Sequence, residues 1–207
     1  MTLKPDRAEI KESMRRKLSI GRYEHSLGVA YTAACLAMRY GCDIEDAEVA
    51  GLLHDCAKQF DGETLLRKCT KRGIDISEAE RRNPSLLHAK YGAYLAEKNY
   101  DVTDADILNA IRYHTTGRPG MSMMEKIIYV ADYIEPRRNK APDLAKIRAI
   151  AFVDIDKAMY EIMKDTLGYL EQSGAVVDDT TMEAYMWIEK EYYGSVGRDG
   201  KDSLQGD

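Results

Sequence analysis

The chain has 207 residues, 44% hydrophobic and 31% charged, which suits one globular domain with or without an appendage. A formal net charge of −5 argues against non-specific nucleic-acid binding as the main task. No run of about 18 apolar residues offers a membrane span, and the N-terminal MTLKPDRAEIKESMRRKL lacks the apolar centre of a signal peptide, so the expected location is the cytoplasm.

Helical periodicity dominates and strand alternation is nearly absent, so the fold is expected to be all-α. In chain order the pattern predicts helices over 6–17, 22–40, 44–53, 64–71, 86–98, 103–113 and 123–134. Two more follow near 144–173 and over 181–193. Asp43 is placed to cap the third helix, Gly41 and Gly73 follow helices, and Pro136 breaks the chain after YVADYIE. The last third reads as amphipathic helices that pack on the rest or mediate self-association. From Gly194 onward GSVGRDGKDSLQGD has almost nothing to bury, so the domain is taken as 1–195 and 196–207 as a disordered tail. Cys35, Cys42, Cys56 and Cys69 form no CxxC pair and are expected to be buried thiols.

The chain holds four histidines, each on the apolar stripe of a predicted helix. His25 shares a face with Val29 and Leu36, and His54 follows Ala47 and Ala50. His88 lies with Gly92 and Leu95, and His114 with Ile107, Ala110 and Ile111. All four imidazoles should therefore point inward. One such histidine is ordinarily a satisfied core residue; four together call for another account. Two carboxylates sharpen it. Asp55 directly follows His54, and Asp132 sits within IIYVADYI, where almost every neighbour is apolar. A buried unpaired carboxylate costs several kcal/mol or becomes protonated, and a metal ion removes that problem. Imidazole and carboxylate donors suit a first-row transition metal such as iron, manganese, cobalt, nickel or zinc. Adjacent side chains on a regular helix diverge by about 100°. His54 and Asp55 therefore serve one centre only near a helix end, or with Asp55 bridging two ions.

The order H…HD…D, formed by His25, His54–Asp55 and Asp132, resembles the HD-domain metal-dependent phosphohydrolases. His88 and His114, between the HD pair and the last Asp, resemble the two-metal members. The stretches RYEHSLGVA, AGLLHDCAK, HAKYGAYLA, AIRYHTTG and IIYVADYIEPRR look like the YqeK family, over about residues 10–195. That resemblance implies a helical bundle with the metal site in its core. It implies symmetrical hydrolysis of dinucleoside tetraphosphates to two nucleoside diphosphates by metal-activated water, at an iron-type dinuclear centre. It further implies that one ion takes His25, His54, Asp55 and Asp132, and the second Asp55, His88 and His114.

Around these ligands, Lys58 completes the pattern HDxxK and is expected to act with Asp55 in catalysis and to contact phosphate. Arg22, three residues before His25, is a phosphate contact or a surface ion pair. In HTTG, Thr115, Thr116 and the backbone of Gly117 are candidate donors to phosphate or sugar, and Gly117 also reads as a helix stop. In EPRR, Arg137 is taken as the ligand contact, with at least one of Arg137 and Arg138 facing solvent. No GxxxxGK[ST] loop and no Nudix-type glutamate cluster is present, and no histidine follows a Glu-x-x-His spacing of ferritin-like di-iron bundles. The alternatives left open are another HD nucleotide phosphohydrolase or phosphodiesterase, or a non-catalytic nucleotide sensor or di-metal protein. The expected partner is a small-molecule nucleotide, with no specific nucleic acid, and a homodimer is the expected assembly.

Overall fold

An aspartate or a serine starts most helices of the computed structural model, which describes the backbone of residues 5–199 and side chains as far as residue 192. Asp6 accepts from Ala8 N and Glu9 N to begin α1 (Arg7–Lys17), and Ser19 precedes α2 (Ile20–Tyr40). Asp43 opens α3 (Ile44–Leu53) by accepting from Asp46 N, and Asp61 opens α4 (Gly62–Lys71) through Thr64 N. Ser77 forms a reciprocal capping box with Glu80 at the short α5 (Glu78–Arg82). Then come α6 (His88–Asn99), α7 (Ala105–Tyr113) capped by Asp104, and α8 (Met123–Ile134) with a second capping box between Ser122 and Glu125. The chain closes with α9 (Leu144–Ala151), α10 (Ile155–Ser173) capped by Asp154, and α11 (Asp179–Asp199). Apart from Ser19, whose side chain makes no cap bond, these side-chain oxygens satisfy first-turn N–H groups that have no partner within the helix.

The core sits where α2, α3, α6, α7 and α8 meet. Val29, Ala30, Ala33, Leu36 and Ala37 of α2 are buried against Ala47, Ala50, Leu52 and Leu53 of α3. Small residues let these two helices come close. A Cβ added at Gly51 would stand 2.6 Å from Ala30 Cα, so only glycine fits that crossing. Ile111 of α7 and Ile127, Ile128, Val130 and Ala131 of α8 complete the interior. Each such branched side chain contributes about 1.5–3 kcal/mol on burial. The last helices lie on this core: α9 and α10 pack on α8, and α11 packs on α10, where Tyr160 stacks on Tyr185 and Tyr192 with centroids 5.7 and 5.6 Å apart.

Among the described residues there is helix and 3-10 turn but no strand, as the periodicity requires. Differences are local. The run expected over 144–173 is two helices, broken at Phe152–Asp154 because the Asp154 side chain turns back to cap Lys157 N. The helix expected from residue 86 starts at His88, after a 3-10 turn over Pro84–Leu87. Helix α11 continues to Asp199, through the start of the segment expected to be a tail, while residues 200–207 lie outside the described ones. Of the cysteines, Cys56 and Cys69 are buried as expected. Cys35 on α2 is exposed, and Cys42, in the short link between α2 and α3, is half-buried, contrary to expectation.

Candidate metal centre

The ligand candidates arrive from five helices. His25 lies inside α2, and His54 is the residue that ends α3. His88 is the first residue of α6, His114 ends α7, and Asp132 lies in the last turn of α8. Asp55 has left the helical conformation, at φ −105° and ψ 13°, on its way into a 3-10 turn over Cys56–Gln59. That departure lets adjacent side chains converge, the helix-end solution to the His54–Asp55 problem.

All six side chains come together. His54, Asp55, His88 and His114 are at most 5% exposed, and the His25 and Asp132 side chains are 15% and 17% exposed. Asp55 divides the imidazoles between its two oxygens. Oδ1 stands 3.3 Å from His88 Nε2 and 3.4 Å from His114 Nε2. Oδ2 stands 3.5 Å from His54 Nε2, 3.8 Å from His25 Nε2 and 2.8 Å from Lys58 Nζ. Asp132 Oδ1 lies 3.0 Å from His25 Nε2 and 3.9 Å from His54 Nε2. Donor atoms of His25, His54 and Asp55 fall within 4.8 Å of one another, as do those of Asp55, His88 and His114, and those of His54, His114 and Asp132.

Each ring's outer nitrogen fixes its tautomer. Nδ1 of His54 donates to the Gly51 carbonyl at 2.7 Å, Nδ1 of His88 to the Ser85 carbonyl at 2.6 Å, and Nδ1 of His114 to the Ile111 carbonyl at 2.7 Å. His25 Nδ1 donates to Glu135 Oε1 at 3.0 Å. A carbonyl only accepts, so in His54, His88 and His114 the proton sits on Nδ1 and Nε2 turns a lone pair to the centre. His25 has a carboxylate at each nitrogen, and although burial lowers its pKa, Asp132 and Glu135 raise it on balance. His88 Nε2 and His114 Nε2 face each other at 3.1 Å, an arrangement that repels unless a cation or proton lies beside them. Burial is the largest influence on His88 and lowers its pKa, which disfavours a proton there. His25 Nε2, His54 Nε2 and Asp55 Oδ1 are buried without a hydrogen-bond partner. Burial alone would raise Asp55, yet the rings of His54, His114 and His88 around it outweigh burial and hold it well below the ordinary carboxylate value. Inward lone pairs, orphaned buried polar atoms and ionised carboxylates fit a divalent metal ion and little else.

Beside the centre opens a cavity of about 540 Å³, lined among others by His25, His114, Thr115, Asp132, Arg137 and Arg138. Lys58 reaches the centre, and its side chain is about one-third exposed. Arg22 donates to the Lys58 carbonyl and so braces the turn after Asp55. Thr115 lines the cavity, whereas the Thr116 hydroxyl donates to the Gly117 carbonyl. Gly117 takes the helix-stop role that the sequence offers for it, not the ligand-donor one. Its N–H donates to the Tyr113 carbonyl at 2.8 Å, and at φ +66° it packs against Met163, Ala184 and Met121, so it stops α7 and offers no donor to a ligand. Arg137 lines the cavity and pairs with Glu24 at 2.7 Å. Arg138, to which the sequence assigns no ligand role, bonds Asp132 Oδ1 at 2.6 Å and the Asp132 carbonyl at 2.9 Å. Sequence reasoning misses Glu135 altogether. Its position three residues after Asp132 places it on the same helix face, which is the available signal.

The HD domain family model matches residues 22–137, more than half of the chain. The symmetrical bis(5'-nucleosyl)-tetraphosphatase of Bacillus subtilis is 40% identical over 183 residues, 88% of this chain and 97% of that protein. The enzyme of the same name from Halalkalibacterium halodurans is 36% identical over 87% of this chain and 95% of its own length. Among solved structures, an HD superfamily hydrolase of Clostridium acetobutylicum, described as involved in NAD metabolism, superposes with a TM-score of 0.87 at 40% identity. It covers 91% of this chain and 100% of its own. With its four histidines and two aspartates gathered in a helical core and these relatives matched along nearly their whole length, the chain belongs to the HD-domain hydrolases and, within them, to the family of the symmetrical bis(5'-nucleosyl)-tetraphosphatases.

Proposed function

We propose that the protein hydrolyses dinucleoside tetraphosphates, diadenosine tetraphosphate first among them, at the central anhydride to give two nucleoside diphosphates. The observation that carries this is the division of the four imidazoles between the two oxygens of Asp55, beside a cavity rimmed by arginine. Asp55, one oxygen toward each pair of imidazoles, would serve both ions of a two-ion centre. His25, His54 and Asp132 would hold one ion with it, and His88 and His114 the other. Iron is the metal we propose for the cell, with manganese, cobalt, nickel and zinc as chemically acceptable substitutes. When bound, the two ions supply Lewis acidity to the phosphate oxygens and acidify water at neutral pH.

The chain's own residues supply the rest. Water adds its oxygen to one phosphorus, the bridging P–O bond breaks, and the second nucleoside diphosphate leaves with that bridging oxygen. Lys58 carries its positive charge at the edge of the centre, where negative charge grows on the transferred group. Arg137 and Thr115 face the cavity and hold the phosphate chain, and Arg22 fixes the turn that presents Lys58. A cavity of about 540 Å³ falls within the usual 300–1,000 Å³ of small-ligand sites, room for one nucleotide arm.

Elemental analysis of the purified chain, paired with product identification on diadenosine tetraphosphate, tests the reading. About two transition-metal equivalents per chain with ADP as the sole product support it. Release of ATP and AMP overturns the symmetrical cleavage, and inactivity after reconstitution with iron and with manganese overturns the enzyme assignment.

A further inference from the structure

The four histidines are not supported alike. His54 and His114 stand at the ends of α3 and α7, and their Nδ1 acceptors, Gly51 and Ile111, lie in the last turns, where carbonyls have no partner within the helix. His88 uses the Ser85 carbonyl of the 3-10 turn just before it. His25 sits inside α2, where the preceding carbonyls are committed to the helix, so its outer nitrogen needs an acceptor from elsewhere. Glu135 provides one, and it is a carboxylate rather than a neutral carbonyl.

The Glu135 side chain is held in place from several directions. It is 1% exposed and ends α8, and its Oε2 accepts from Arg137 N at 2.7 Å. Its main-chain carbonyl accepts from Arg148 at 2.8 Å. Room for the carboxylate comes from Gly28, one turn along α2 from His25: a Cβ there would overlap Glu135 Oε2 and stand 3.2 Å from its carboxyl carbon. Helix α2 thus carries a histidine and, beside it, the notch that admits the histidine's carboxylate partner.

We propose that Glu135 is a positioning residue that makes His25 the strongest imidazole donor of the centre, and that the two metal subsites are unequal as a result. The ion on the His25 side binds tighter and first; the ion on the His88–His114 side, whose imidazoles lean on neutral carbonyls, binds weaker and second. A carboxylate behind an imidazole fixes its tautomer and orientation and raises its basicity, an effect worth about 10–100-fold in metal affinity. This inference rests on the ligand sets given under the proposed function.

The test titrates Mn²⁺ into the metal-stripped full-length chain and reads free Mn²⁺ by electron paramagnetic resonance. The unaltered chain is expected to show two classes of site. Glu135→Gln keeps an acceptor for His25 but removes the charge, and is expected to weaken the tighter class by about 10–100-fold while sparing the other. Gly28→Ala, which displaces the carboxylate without altering it, is expected to reproduce that selective loss, and the double variant to add little more. Equal weakening of both classes, or unchanged affinity in either single variant, overturns the inference and leaves the metal-centre reading intact. Failure of the unaltered chain to bind Mn²⁺ overturns both.

Discussion

Asp55 concentrates more consequence than any other side chain, because its two oxygens serve opposite halves of the centre. Asp55→Ala should abolish metal retention at both subsites and with it nearly all turnover, while far-ultraviolet circular dichroism stays helical. Full metal content in that variant would remove the bridging role. Lys58→Ala should keep both ions and lower kcat by on the order of 10²-fold, the usual loss for one electrostatic donor at a transferred group. Arg137→Ala should act differently, raising KM about tenfold, since one charge-assisted contact is worth some 1.5 kcal/mol or more. Steady-state kinetics with metal analysis separates the two. The six candidate ligands were legible in the sequence because four histidines each fell on an apolar stripe, Asp55 followed one of them, and Asp132 stood among apolar neighbours, a pattern that core packing alone does not call for. Glu135 was not, since its role depends on where α2 lies relative to α8, and Arg138 was not, since its contact with Asp132 depends on how the chain turns after α8. The Gly117 N–H looks available in the sequence, and only the chain trajectory shows it spent on Tyr113.

Between helices, the closest fit is α2 on α3. Gly51→Ala would drive a methyl group into the Ala30 backbone and should destabilise the protein by about 1–3 kcal/mol or more, read as a lowered melting temperature. The helix pair α1 and α3 is tied by Glu48, which pairs with Lys11 at 2.6 Å and Arg7 at 2.7 Å. Burial pushes the Glu48 pKa up, but Lys11 and Arg7 outweigh it and the net direction is down. A lowered folded-state carboxylate contributes fully above its unfolded pKa of about 4.3 and loses that contribution as pH falls through the lower folded value. Glu48→Gln should therefore cost on the order of 1 kcal/mol at neutral pH, with the difference shrinking in acid below about pH 4. Thermal melts of both proteins at several pH values measure it. At this scale the sequence read well where caps and apolar stripes agreed, as for α3 and α8. It read poorly where a single side chain decided, as with Asp154 between α9 and α10, or where the element was one turn long, as with α5.

Across the molecule, the family supplies the chemistry and this chain supplies the surroundings of the site. Helix α10 lends Ile162 and Thr166 to the wall of the cavity beside the candidate metal ligands, so the last third of the chain shapes that cavity. Among the described residues no helix is long and apolar enough to cross a membrane. The gathering of ligands from α2, α3, α6, α7 and α8 has a consequence beyond catalysis. On the proposed ligand set, an ion held at once by His25 and Asp132 would close a long loop of chain as a covalent cross-link does, at a site that exists only once the helices have docked. Unfolded chain offers no such site, so the folded state gains stability with free metal, about 2.7 kcal/mol at a hundred times Kd. A chelator should lower the melting temperature in step with the free ion concentration. Scarcity of metal would then thin the population of folded enzyme as well as silence it, so that abundance and activity report the same supply.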